Sequence, residues 1–153
     1  TRQELAKMPQ HFPVLIKAGA LGDGVPQRDM MVSPNHRMLI TSEMAEVMFG
    51  ESEVLVAAKH LVGLDGVEPA PVSKVSYILM MFEQHEDVLA DGTWAESFLP
   101  GQQAMAGIKN DQRQEILDLF PELIDMRGLR NFDAARRLLK AHEAHLLMLE
   151  KRN

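Results

Sequence analysis

Apolar residues in the first two thirds of the chain fall in short runs that are separated by turn-forming residues. The runs at 13–17, 29–32, 37–41 and 53–56 are four or five residues long and draw mainly on Val, Ile, Leu and Met. Runs of this length between Gly, Pro, Asn and Asp predict β-strands. A longer apolar run at 75–82 predicts a further strand by the same reasoning.

A hairpin and a short helix are marked by residues that favour particular backbone conformations. The dipeptide Asp91-Gly92 separates 87–90 from 93–95, and Asp-Gly is typical of two-residue hairpin turns. Ser42 is a favoured N-cap residue and Gly50 is a favoured residue just past a helix end, so a short helix is expected between them.

Helical spacing replaces the short runs in the last third of the chain. Asn110-Asp111 is expected to cap a helix that ends before Pro121. Asn131 or Asp133 is expected to cap a second helix that continues to about Lys151. We therefore predict a mostly β domain over 1–100 and a helical C-terminal extension over 101–153 that packs on it.

Composition and charge narrow the classes of function. The chain of 153 residues is 46% hydrophobic and 25% charged, as expected for one globular domain. Its formal net charge of -6 argues against a nucleic-acid partner, and no apolar stretch is long enough to predict a membrane partner. The absence of cysteine excludes disulfides and thiolate chemistry within these residues.

The strongest candidate for chemistry is the run 30–40, which reads Met-Met-Val-Ser-Pro-Asn-His-Arg-Met-Leu-Ile. It places Ser33 and His36 on a Ser-Pro turn between two predicted strands. A hydroxyl and an imidazole on one tight turn can polarise a carbonyl and protonate a leaving amine. The alternative is that Ser33 only forms the turn and that His36 bonds neighbouring carbonyls.

The other histidines carry less functional weight. His85 precedes the predicted hairpin and is the third candidate catalytic residue, although a structural role is favoured for it. His142 and His145 lie three residues apart on the predicted last helix, but no third metal ligand is apparent. We therefore expect no metal and no cofactor.

Several segments, in order along the chain, resemble the hedgehog/intein (Hint) domain family. The run Val32–His36 resembles the family's Thr-x-x-His motif, with Ser33 in place of threonine. The stretch 75–92 is similar to the family's strand, histidine and Ala-x-Gly hairpin. A bacterial Hint subgroup of the α-proteobacterial type is similar in three further segments: 28–31 (Arg-Asp-Met-Met), 56–62 (Val-Ala-Ala-Lys-His-Leu-Val) and 94–101 (Trp-Ala-Glu-Ser-Phe-Leu-Pro-Gly).

The resemblance implies a horseshoe or disc of bent strands and an autoprocessing reaction. In that reaction an N-terminal cysteine or serine of the domain attacks the preceding carbonyl, and an ester or thioester replaces the peptide bond. By the same resemblance His36 protonates the departing nitrogen, while Ser33 and nearby backbone groups stabilise the tetrahedral intermediate. The implied partner is the chain's own N-terminal flanking polypeptide in a longer parent.

The chain departs from the family pattern at both ends of the reaction. The family's opening cysteine and Gly-Thr-rich strand are absent, and no such strand follows Thr1. Glu96 and Ser97 replace the His-Asn pair that completes intein splicing, and no aspartate occurs in Tyr77-Ile78-Leu79. The sequence therefore predicts a fragment of a self-cleaving domain whose parent is autoproteolytic and which is inactive alone.

Two other functions remain open. The chain could be a non-catalytic interaction module that retains the fold and docks a partner through its last helix. A hydrolase that uses Ser33 with His36 is disfavoured, because no aspartate is placed by sequence to orient the imidazole. Loss of the opening strands would expose a sheet edge, so a homodimer or strand exchange is expected. The family context leans toward exported bacterial proteins, while the residues themselves leave the compartment open.

Overall fold

The computed structural model of the protein describes residues 12–100, 105, 108–124 and 133–151. The strands are β1 Val14–Ile16, β2 Met30–Val32, β3 Arg37–Thr41, β4 Glu53–Ala57, β5 Val67–Pro69, β6 Asp87–Ala90, β7 Thr93–Glu96 and β8 Arg137–Leu138. The helices are α1 Glu43–Phe49, α2 Ala58–Leu61, α3 Asn110–Leu119 and α4 Ala141–Lys151, with a 3₁₀ helix at Pro121–Ile124. The predicted mostly β fold with a helical C-terminus is confirmed.

The strands form two sheets. The smaller sheet has the order β2-β1-β5, and both outer strands are antiparallel to β1. The larger sheet has the order β6-β7-β3-β4-β8, in which β8 is parallel to β4 and the other pairs are antiparallel. The strands predicted at 13–17, 29–32, 37–41 and 53–56 are confirmed as β1 to β4.

The chain divides into two compact units. The first contains Thr1–Ile78, Asp87–Glu96 and Arg136–Asn153, and the second contains Leu79–Glu86 and Ser97–Ala135. Both sheets belong to the first unit, together with α1, α2 and α4. Helix α3 and the 3₁₀ helix belong to the second unit.

The core of the first unit is aliphatic and is centred on β4. Val54, Leu55 and Val56 are all completely buried, so both faces of this strand are covered. Full burial explains why the strand reads as a continuous apolar run rather than an alternating one. Met38 of β3 and Leu147 of α4 are also completely buried in the same unit. Burial of each such side chain contributes about 1.5 to 3 kcal/mol relative to its exposure.

The local signals for α1 and for the hairpin are confirmed. The hydroxyl of Ser42 accepts a hydrogen bond from the N–H of Ala45, and Gly50 ends α1 with φ of 76°. At the hairpin, Asp91 and Gly92 have φ of 49° and 77°. Two consecutive positive φ angles match the right-handed twist of the flanking strands β6 and β7, so this turn fixes their register.

The prediction of a strand at 75–82 is wrong. The backbone there is irregular, and no residue of the run pairs with another strand among the described residues. Ile78 is 91% exposed. An apolar run becomes a strand only where another strand offers backbone partners, and composition alone does not supply them.

The C-terminal helices differ in part from their predicted ends. Helix α3 has the expected extent, but Lys109 occupies its N-cap position without a side-chain hydrogen bond. The last helix begins at Ala141, so the predicted start near Asp133 is wrong. The residues before it form β8, which pairs with β4, and tertiary pairing thus overrides local spacing. The other predicted cap, Asn131, lies outside the described residues. No described helix has the length and apolar character to cross a membrane.

Candidate functional site

The turn between β2 and β3 carries Ser33 and His36. The N–H of His36 donates to the carbonyl oxygen of Ser33 at 3.0 Å and closes a four-residue turn. Pro34 occupies the second position of this turn, where its fixed φ is favoured. The hydroxyl and the imidazole are therefore presented from one rigid corner of the backbone.

The start of α2 holds this turn from one side. The N–H groups of Ala58 and Lys59 donate to the carbonyl oxygens of His36 and Pro34, each at 2.9 Å. The ammonium of Lys59 also donates to Oδ1 of Asn35 at 2.8 Å. These bonds occupy the carbonyl groups of the turn and limit its movement.

A buried carboxylate holds the residue that follows the histidine. Oε1 of Glu96, at the end of β7, accepts a hydrogen bond from the backbone N–H of Arg37 at 3.0 Å. Nη1 of Arg37 lies 2.9 Å from Oε2 of the same carboxylate. Glu96 is only 7% exposed, whereas the side chain of Arg37 is 32% exposed. Pairing of Met38 with Ala95 brings β3 and β7 together and so brings Glu96 next to the turn.

The environment of His36 favours its neutral form. Burial lowers the pKa of the imidazole below its ordinary value of 6.5; the charge of Glu96 raises this pKa, and the charge of Arg37 lowers it. The net direction is downward. A neutral imidazole at neutral pH can accept a proton from a nucleophile and pass it on. On α2, burial lowers the pKa of His60, with smaller effects of the same sign from Lys59 and Arg37.

A second carboxylate lies across the hairpin from the first. Asp87 of β6 is paired directly with Glu96 of β7, so the two side chains share one face of the sheet. Oδ1 of Asp87 is buried and has no hydrogen-bond partner among the described residues. Its Oδ2 lies 3.7 Å from Nη1 of Arg136.

His85 and Ser97 belong to the second unit and make structural contacts there. Nδ1 of His85, a buried residue, accepts a hydrogen bond from the N–H of Ala135 at 2.8 Å. In a neutral ring this bond places the proton on Nε2. The hydroxyl of Ser97 accepts from the N–H of Glu86 at 2.9 Å, and the N–H of Ser97 donates to the carbonyl oxygen of Glu86 at 2.7 Å. The catalytic role of His85 stays a prediction.

The structure brings Ser33 and His36 onto one turn, and it adds a residue that the sequence reasoning missed. In the sequence, Glu96 stands out only as a replacement for a splicing residue, yet in the structure its carboxylate binds the backbone N–H of Arg37, directly after His36. A glutamate between Ala95 and Ser97 is a weak sequence signal for a buried charge, because the alternation of side chains along a strand does not show which distant residue pairs with the carboxylate. Within the described part of the chain, no group of three or more His, Cys, Asp or Glu side chains could hold a metal ion.

A cavity of about 580 Å³ occurs elsewhere in the first unit. It is lined by residues 17–22, Ile40 and residues 64–66. Neither Ser33 nor His36 borders it, and the backbone N–H groups of residues 19–22 in its wall already donate to other backbone groups. The candidate site is therefore the turn and its carboxylate rather than this cavity.

A comparison with models of protein families finds a match over residues 1–102, to the family described as the Hint domain. The match covers 102 of the 153 residues and includes the turn with His36 and the hairpin that ends at Glu96. Searches of curated proteins and of solved structures gave no significant match.

Proposed function

This chain belongs to the Hint domain family, and we propose that it is a fragment of a self-cleaving domain of the bacterial, α-proteobacterial type. The fragment supplies the proton-transfer residue His36. The nucleophile that opens the reaction comes from polypeptide outside these 153 residues, which contain no cysteine. The chain alone is accordingly inactive, and its substrate is the parent's own flanking polypeptide.

The proposed reaction exchanges one acyl bond for another. The thiol or hydroxyl of the upstream nucleophile attacks the carbonyl carbon of the preceding residue, and its proton passes to the neutral imidazole of His36. The carbon–nitrogen bond then breaks, and the imidazolium gives the same proton to the departing amine. A thioester or ester and a free amino group result. Ser33 donates a hydrogen bond to the tetrahedral oxyanion, which lowers the barrier by stabilising charge that develops there.

The observation that carries this proposal is the way His36 is held. Its carbonyl is bound by Ala58, the N–H of the next residue is bound by Glu96, and burial keeps the ring neutral at neutral pH. A base that must accept and return a proton works best when its position is fixed and its pKa lies near the working pH. A histidine that only filled a turn would not require both anchors.

We propose that the reaction ends in cleavage without ligation. Splicing needs an asparagine whose side chain forms a succinimide, and Ser97 occupies that place. Its buried hydroxyl already accepts a hydrogen bond from Glu86, which supports a structural role. Water or another nucleophile then releases the acyl group from the ester or thioester.

The test is expression of the parent polypeptide, with its native upstream sequence, as wild type and as His36→Ala. His142→Ala is the matched control, because His142 lies exposed on α4. We expect two fragments from the wild type and from the control, and intact polypeptide from His36→Ala, by gel electrophoresis and mass spectrometry. Intact polypeptide from all three proteins would refute the proposed self-cleavage.

The alternative function is an interaction module, and the exposure of Leu146 and Leu149 on α4 supports it. The exposed Leu89 on β6, an outer strand of the larger sheet, offers a second contact for a homodimer or strand exchange. Light scattering tests this alternative. A mass above that of one 17.2 kDa chain, reduced by Leu89→Lys or Leu146→Glu, would support it. The mass of a single chain would count against self-association.

A further inference from the structure

We propose that Glu96 is a positioning residue for His36: its carboxylate fixes the backbone beside the histidine, and its negative charge stabilises the imidazolium when the ring takes up a proton. This inference rests on the proposed cleavage function and adds a residue to that site. It also assigns a purpose to a charged side chain buried at the end of β7.

The geometry gives Glu96 two separate tasks. Oε1 accepts from the backbone N–H of Arg37 at 3.0 Å, and Oε2 lies 2.9 Å from Nη1 of the same residue. Since Ala58 binds the carbonyl of His36 at 2.9 Å, the C=O and the N–H of the one peptide group that joins His36 to Arg37 are held by two different elements. Rotation of the imidazole is then left mainly to its own side-chain torsions.

The charges around the ring oppose one another. Glu96 raises the pKa of His36, while burial, the larger effect, and Arg37 lower it. A buried carboxylate acts through a low local dielectric, so its charge is felt strongly by an imidazolium that forms beside it. The charged and titratable groups on the surrounding elements are Arg37 on β3, Lys59 and His60 on α2, Glu96 on β7 and Asp87 on β6.

The arrangement exceeds what a structural ion pair requires. Arg37 could neutralise the carboxylate through its guanidinium alone, but Glu96 also binds the main chain one residue after the catalytic ring. In hydrolases a carboxylate next to a histidine orients the ring and stabilises the imidazolium. Here the carboxylate acts through the neighbouring residue, so Glu96 is a positioning residue rather than a catalytic one.

The first measurement follows the histidine directly, by NMR titration of the ring signals of the 153-residue chain. The signal of His36 is identified by its loss in His36→Gln. Glu96→Gln keeps an oxygen that can accept from Arg37 N–H but removes the charge, and we expect the titration midpoint of His36 to fall by about 0.5 to 1 pH unit. Arg37→Gln should move the midpoint upward by about half a unit, because a positive charge is removed.

The matched control is Glu68→Gln, since Glu68 lies on β5 and pairs with Lys17, with both side chains more than half exposed. We expect no change at His36 from this substitution. An unmoved midpoint in folded Glu96→Gln would overturn the positioning role. If Glu96→Gln does not fold, Arg37→Gln provides the test. A titration midpoint of His36 that is unmoved or lowered in Arg37→Gln would also overturn the positioning role.

The second measurement is the pH dependence of cleavage in the parent polypeptide. Glu96→Gln should retain cleavage but shift the acidic limb of the rate profile in the direction seen by NMR, whereas Glu68→Gln should match the wild type. A wild-type parent that does not cleave would overturn the proposed function, and the NMR shifts would then stand as a structural coupling only. A cleaving parent whose profile Glu96→Gln leaves unchanged would overturn the positioning role and spare the function.

Discussion

Replacement of Glu96 by alanine is expected to lower the free energy of unfolding by about 3 to 4 kcal/mol. The change removes the acceptor of the Arg37 N–H and the partner of its guanidinium. A hydrogen bond to a buried charged group contributes about 1.5 to 3 kcal/mol. The ion pair adds only about 1 kcal/mol, because a third of the Arg37 side chain is exposed to solvent.

Glu96→Gln separates these two contributions. The glutamine keeps an oxygen for the Arg37 N–H and loses only the ionic part, so we expect a loss of about 1 kcal/mol. The difference between the alanine and glutamine variants then reports the main-chain hydrogen bond and about one buried methylene, about 2 to 3 kcal/mol together. Glu68→Ala and Glu68→Gln are the controls, and both should cost less than about 0.5 kcal/mol because the pair of Glu68 with Lys17 is exposed.

The assay is urea denaturation followed by two probes. Far-UV circular dichroism reports the whole chain, and the fluorescence of Trp94, the one tryptophan, reports β7 itself. Two probes are needed because the chain divides into two units, and a single free energy is meaningful only where the two curves coincide. Equal losses for Glu96→Ala and Glu96→Gln, or a loss no larger than that of Glu68→Ala, would refute the reasoning.

Three further outcomes are expected from the same structure. Burial lowers the pKa of His36, so the imidazole binds a proton more readily in the unfolded chain, and the free energy of unfolding should fall as the pH drops below about 6.5. His36→Gln should reduce this fall, measured by urea denaturation between about pH 7.5 and about pH 5.5. The same dependence of stability on pH in both proteins would contradict this prediction. Gly66→Ala should cost more than Gly50→Ala, since both have positive φ but the new Cβ at Gly66 would lie 3.0 Å from that of Ala20; addition of Ala20→Gly should bring the two losses together at about 1 to 2 kcal/mol. Leu55→Ala should cost about 2 to 5 kcal/mol in urea denaturation, because Leu55 is completely buried, and a smaller loss would mean that the core collapses around the cavity.

The features predicted correctly from sequence are those that a few adjacent residues decide. The Asp91-Gly92 turn needs two positive φ angles, and glycine and aspartate adopt them at low cost. Helix α1 begins at a serine that caps it and ends at Gly50. The turn that holds Ser33 and His36 together is likewise set by the proline between them.

Contacts between distant segments decided the remainder. The run 75–82 has the composition of a strand but pairs with no strand among the described residues, and the residues of β8 have helical spacing but pair with β4. Neither outcome could be read locally, because a strand depends on backbone partners that come from elsewhere in the chain.

The sequence by itself determined membership of the Hint domain family, the serine and histidine on one turn, and the absence of a thiol nucleophile within these residues. Only the tertiary structure decided that Glu96, 59 residues after Arg37, lies at the backbone next to His36. The physical reason is that the antiparallel pairing of β3 with β7 brings the carboxylate of Glu96 to the backbone next to His36. That pairing is a property of the folded sheet rather than of any local run of residues.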